Sequence, residues 1–435
     1  MSNGPKIGIV LSGTAPALTL MSGVMLAFDE CNVEFEVIST TGVGGLIGML
    51  YLAPKGKTRK DALSDLPNLF VSDWLYPFVP INFKVFHKNS PLAAQFYELR
   101  KNLKLFDVAP DDPAEGKRFL NDWLQLWATI LTPPSYQSAR SGLMSHVPLV
   151  DDLVDFNTLN STPSTRFYLN AFSLSTRRLR LLDNFDKKDL NVDNYNGAQS
   201  MYMLFPPVQT ADDLLVTGAT KDPTGLQAIW LRERDNLDAV LALAPEPECF
   251  WRAPTNAYDA FQLMLMNPIV HLQRLMFTLY ARTDVLINPP KNGSPPPPPP
   301  PPGLKLPRLY AIKTPIPEAQ RPKIFNWTHK NAMALQKIGY DAALPIARLL
   351  GGLHSTAELE ERLAAFRFDT ALKIEPRAKQ VLDGIFWPAF RRFVEFINGI
   401  QGNPPDDSSG GPDHGSPRPS QPARGGQPPT RSDRR

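Results

Sequence analysis

The sequence predicts an α/β fold with a central, mostly parallel sheet flanked by helices, an aromatic-rich helical insertion and a helical C-terminal region. Three observations predict it. Lys6 to Ser12 (KIGIVLS) and Glu34 to Thr40 (EFEVIST) are apolar, β-branched runs of strand length, the pattern of buried strands. Thr19 to Glu30 lies between them with the length of a helix. Thr40-Thr41-Gly42-Val43-Gly44 then joins the second strand to a further helical run. A strand, a sharp turn and a helix are the setting of a nucleophile elbow, in which the serine of G-x-S-x-G is lifted above a sheet on a strained turn. Here the turn is present, and glycine stands where the serine would be.

Composition shifts divide the rest of the chain. The α/β core spans residues 1–250, interrupted by an insertion at 57–145 that is rich in aromatic and apolar residues (LFVSDWLYPFVPINFKVF, FLNDWLQLWATIL). Long excursions from a compact core tend to be functional, so this segment reads either as a lid or substrate wall or as an added packing layer. Residues 251–294 extend the core as a helix from Tyr258 to Leu286, expected to break near Pro268, because proline removes a helix hydrogen bond. Its Met264, Met266 and Met276 read as core. Residues 295–303 hold the eight prolines Pro295 to Pro302, an exposed polyproline rod that acts as a spacer or docks an aromatic-lined partner. Residues 304–400 follow as a short strand (LPRLYAIKT) and then helical runs at Trp327 to Leu350, Thr356 to Phe368 and Ala378 to Ile400. The last carries Phe386, Trp387, Phe390, Phe393 and Phe396 beside Arg391 and Arg392, which suits packing on the core or contact with a membrane surface. Residues 401–435 have the composition of a disordered tail, near neutral with five arginines against four aspartates.

Three segments, in order, resemble the patatin-like family of lipid acyl hydrolases. Leu11 to Gly23 (LSGTAPALTLMSG) is similar to the family's glycine-rich oxyanion loop, and Val37 to Leu46 (VISTTGVGGL) to its nucleophile segment. Leu215 to Pro223 (LVTGATKDP) is similar to the Asp-Gly-Gly/Ala segment that supplies the acid of a Ser-Asp dyad. Pro148 to Leu159, Leu169 to Leu182 and Ile324 to Tyr340 add to the likeness; the last is similar to a helical extension of bacterial members. The resemblance covers most of residues 6 to 350 and implies a three-layer sandwich.

Every position at which that family does chemistry departs from its pattern. The serine position is Gly42, the aspartate position is Thr217, and the loop reads Gly13-Thr14-Ala15-Pro16-Ala17-Leu18, with only its first glycine kept. Acyl transfer needs a hydroxyl beside a base, and backbone N–H donors aimed at the oxyanion that forms. Gly42 has no side chain, Thr217 no carboxylate, and Pro16 no N–H to donate. The resemblance therefore implies a catalytically impaired, pseudoenzyme-like protein that binds a lipid or acyl ligand, or a protein partner through Pro295–Pro302 or the tail. The alternative is an active acyl hydrolase using relocated residues, with Ser39, Thr41, Asp213 and Asp222 (beside Asp212) as the backup candidates. The elbow glycines Gly44 and Gly45, with Gly48, also resemble a loosened dinucleotide fingerprint, but the acidic residue expected at the end of the next strand is missing. A purely structural role, letting the helix pack tightly on the sheet, is the third reading. The helix N-terminus there could hold an anion.

The net charge of +3 over 435 residues gives no argument for nucleic acid, and the two cysteines, Cys31 and Cys249, exclude a disulfide framework. No apolar run reaches the length of a membrane span, and the N-terminus enters a strand without the basic and apolar regions of a signal peptide. These features predict a cytoplasmic protein, peripheral at most to a membrane or lipid granule. His146, His271, His329 and His354 are scattered without metal-ligand spacing, so neither a metal site nor a cofactor is expected.

Overall fold

Period-two alternation along the first strand determines how the molecule is layered. In β1 (Ile7–Gly13) the side chains of Ile9 and Leu11 enter one apolar cluster and that of Val10 enters another, because successive residues of a strand point to opposite faces. All three are fully buried. Helices therefore cover both faces, giving three layers.

The computed structural model describes residues 4–13, 18–102, 115–132, 142–161, 164–245, 252–254, 257–287, 306–323, 325–352 and 355–367. All belong to a compact unit, Met1–Thr370. Thr14, Ala15 and Pro16 of the loop, the proline run, the helix expected at 378–400 and the tail lie outside the described residues.

The sheet uses β1, β2 (Val37–Gly42), β5 (Arg166–Ser173), β6 (Leu179–Asp183), β7 (Val208–Gln209), β8 (Leu214–Thr217), β9 (Ala239–Pro245) and β10 (Arg308–Thr314). Its order is β10-β9-β1-β2-β5-β8-β7, with β6 also on β5. From β10 to β5 the neighbours are parallel; β6, β7 and β8 are added antiparallel. The outlying pair β3 (His87–Lys88) and β4 (Met144–Ser145) ties the interior of the insertion to its C-terminal end.

On one face lie α1 (Leu18–Glu30), α2 (Gly44–Leu52) and the helix His329–Leu350. Helix α1 is buried almost all round, from Leu18 to Phe28 with the exception of Leu26. On the other face, Leu226, Ile229, Phe277 and Tyr280 pack against Val10, Val37, Val240 and Ala242. The described residues from 306 to 350 thus belong to the same core: their strand extends the sheet through β9, and their long helix lies on α1.

Two expectations need correction. The helix Ala257–Ile287 runs through Pro268 without a break. Leu263 and Val270, on either side of the proline, are buried against Ile316 and Phe325, and this packing outweighs the roughly 3 kcal/mol that an interior proline costs. The insertion is only partly helical. Arg59–Ser64, Ala93–Asn102 and Glu115–Leu131 are helices, but the aromatic stretch around Trp74 and Phe78 forms turns, where Pro77 and Pro80 deny the backbone two donors.

Candidate functional site

The parallel register of β1 and β2 brings Ser12 beside Thr41 and Gly13 beside Gly42 at one edge of the sheet. Gly42 turns the chain there with φ of 53°, the left-handed region that glycine enters without penalty. Val43 caps α2, and a Cβ on Gly44 would lie 2.1 Å from the carbonyl oxygen of Leu11. A Cβ on Gly45 would meet Leu169 at 2.7 Å. Close approach of helix to sheet thus accounts for these two glycines, as the structural reading anticipates.

Thr217 closes β8 opposite Ala171 of β5. Thr40 pairs with Leu169, so two residues further on Gly42 is level with Ala171. Gly42 and Thr217 therefore stand at the same height two strands apart, a backbone separation of roughly 10 Å. The Gly42 carbonyl accepts a 2.6 Å hydrogen bond from Gln199 Nε2. The Thr217 N–H donates to the Ser200 carbonyl, and its hydroxyl accepts from the Ala219 N–H at 3.3 Å.

Both positions line a cavity of about 570 Å³. The insertion supplies part of its wall through Phe70, Val85 and Phe86, and Leu143 to Val147 continue it. Phe261, Leu265 and Ile269 of the proline-containing helix, with Trp327, complete an apolar lining. A space of this size and character suits a small apolar ligand.

His146, which no sequence pattern singled out, also lines the cavity. Its Nε2 lies 2.8 Å from Ser200 Oγ, and its ring stacks on Phe205 at 4.4 Å. The Ser200 hydroxyl gives its one proton to the Asn196 carbonyl at 2.8 Å, so His146 must donate through Nε2. A histidine that donates to a serine is not activating it. Burial pushes the imidazole down to about 4, leaving it neutral near pH 7. An unfolded chain would bind a proton at this histidine below about pH 6.5 that the folded one refuses until about 4. Stability is therefore expected to fall by about 3 kcal/mol between those pH values. His146→Phe, which keeps the stack and removes the titration, should flatten that part of a denaturant-midpoint profile; an unchanged slope would refute this assignment.

Three of the four backup residues are otherwise engaged. Ser39 donates to the Gly225 carbonyl at 2.6 Å, and Thr41 Oγ1 is buried without a partner. Asp222 is fully buried and accepts from the N–H groups of Thr224, Gly225 and Gln227 and from the Thr224 hydroxyl, so it organises a turn. Asp213 accepts from Ser173 Oγ and the Leu214 N–H, with Arg180 4.0 Å away. None of the four is among the residues lining the cavity. Among the described residues no group of His, Cys, Asp and Glu is arranged to hold a metal ion, and no helix is long and apolar enough to cross a membrane.

No family model matches the chain, and no curated protein matches its sequence. Among solved structures, the crystal structure of VipD from Legionella pneumophila is similar over 92% of this chain and 80% of that one, with 11% identity and a TM-score of 0.33.

Proposed function

We propose that the protein binds a lipid or acyl ligand in this cavity without hydrolysing it, as a pseudoenzyme on a patatin-like scaffold. The observation that carries the reading is that Gly42 and Thr217, the positions where the sequence resemblance expects nucleophile and acid, both line one apolar cavity while neither has the group that acyl transfer requires. The engagement of Ser39, Asp213 and Asp222 in local hydrogen bonds away from that lining supports it against the alternative of an active hydrolase with relocated residues.

Hydrolysis of short and long p-nitrophenyl acyl esters by the wild type, beside the Gly42→Ser, Thr217→Asp double variant, tests the reading. The wild type should stay at the level of a heat-killed control, and the variant should gain weak turnover. Its stability is lowered by about 1–2 kcal/mol through the strain of a serine held at positive φ. Wild-type turnover clearly above the control would favour the active-hydrolase alternative and overturn the proposal.

A further inference from the structure

Among the described residues the cavity lining contains no Asp, Glu, Lys or Arg. Its polar side chains are Ser145, His146, Asn196, Gln199, Thr217 and Gln262, with the hydroxyl of Tyr195 and the indole N–H of Trp327. The titratable groups on it are His146 and Tyr195, and both are neutral: burial lowers the pKa of the first and raises that of the second. The nearby charges at the start of the helix Ala257–Ile287, Arg252 and Asp259, are spent on each other at 2.7 Å. Resting on the acyl-binding reading, we infer that the cavity takes its ligand as a neutral long-chain compound, an alcohol, ester or un-ionised acid, and excludes the fatty carboxylate, because the described residues of its wall offer hydrogen-bonding groups and no counter-charge.

One feature works in the opposite sense. The N-terminus of α2 opens beside Gly42 and Val43 and presents a partial positive charge of roughly half an elementary unit. That is too little to replace the hydration of a full carboxylate charge brought among apolar side chains. It is enough to orient a carbonyl or hydroxyl oxygen, which brings no net charge. A fatty acid entering the cavity therefore takes up a proton as it binds.

Calorimetric titration of the full chain with decan-1-ol and with decanoate, at about pH 8 in two buffers of different ionisation enthalpy, reads both affinity and proton uptake. Decan-1-ol is expected to bind at least about tenfold more tightly, and bound decanoate to carry close to one extra proton, since the free acid is fully ionised at that pH. Gln262→Lys, which places a cation on a half-buried position of the wall, should shift the preference toward decanoate by about tenfold or more and abolish the proton uptake. Decanoate binding as tightly as the alcohol to the wild type, with no proton taken up, would overturn the inference while leaving acyl binding intact. Failure of both compounds to bind would instead overturn the acyl-binding reading on which it rests.

Discussion

Gly23→Ala and Gly339→Ala are each expected to destabilise the protein by about 3 kcal/mol or more, at the upper end of what overpacking costs. The two glycines face each other's helices where α1 crosses the helix His329–Leu350. A Cβ on Gly23 would lie 1.9 Å from the Gln336 carbonyl oxygen, and one on Gly339 would lie 1.9 Å from that of Leu20. The atoms in the way are backbone, so no rotamer change relieves the contact, and the helices themselves must separate. Separation loosens a buried network: Gln336 Nε2 donates to Ser22 Oγ at 3.0 Å and to the Leu63 carbonyl at 2.9 Å. It also loosens the apolar core to which Met21, Leu335 and Ile346 belong. Because the first alanine already pushes the helices apart, the second should add less than its own single cost, and the double variant should fall short of the sum. Urea unfolding of the two single variants and the double measures this. Single costs below about 1 kcal/mol, or strict additivity, would show that the two helices do not meet at these glycines.

Lys84→Met is the second large effect, expected at about 3–5 kcal/mol. Lys84 and Asp122 form an ion pair at 2.7 Å with the carboxylate side chain fully buried. The ammonium also donates to the carbonyls of Asn68 and Phe70 at 3.2 and 2.8 Å, and Asp122 accepts from the Ser72 N–H. Together these bonds tie the turns around residue 70, which reach the cavity wall, to the helix Glu115–Leu131. Removing the lysine alone strands a carboxylate out of water. Removing both charges does not, so Lys84→Met combined with Asp122→Leu should recover much of the loss. If the single variant melted as the wild type does, the pair would be bearing no part of the insertion's stability. Since Phe70 is on the cavity wall, the single variant should also weaken binding of a neutral acyl probe, and the double variant should restore it in step with stability.

The strands and helix that frame the candidate site were legible in the sequence, and the reason is local. The strand runs at Lys6 to Ser12 and Glu34 to Thr40 and the helix after Thr19 stand in the structure within a few residues of their expected bounds. The turn that follows the second strand needs glycine at 42 for its positive φ and at 44 for close approach to Leu11. Such requirements act between residues near in the chain, so they leave a mark on sequence spacing. That Gly42 carries no hydroxyl and Thr217 no carboxylate is likewise a matter of residue identity alone.

What the tertiary structure decided is everything that depends on which distant segments meet. Pro268 sits inside an unbroken helix because Ile316 and Phe325, some fifty residues later, bury its two sides. His146 becomes a neutral part of a cavity wall only when Ser200 and Phe205 are brought against it. The strand at Arg308–Thr314 joins a sheet whose first strand lies about three hundred residues earlier. The apolar lining draws on the insertion, the proline-containing helix and Trp327 together, and none of these has a local pattern that distinguishes a wall residue from a core residue. Both are simply apolar, and only the closure of the chain decides whether an apolar side chain faces another or a space large enough to admit a ligand.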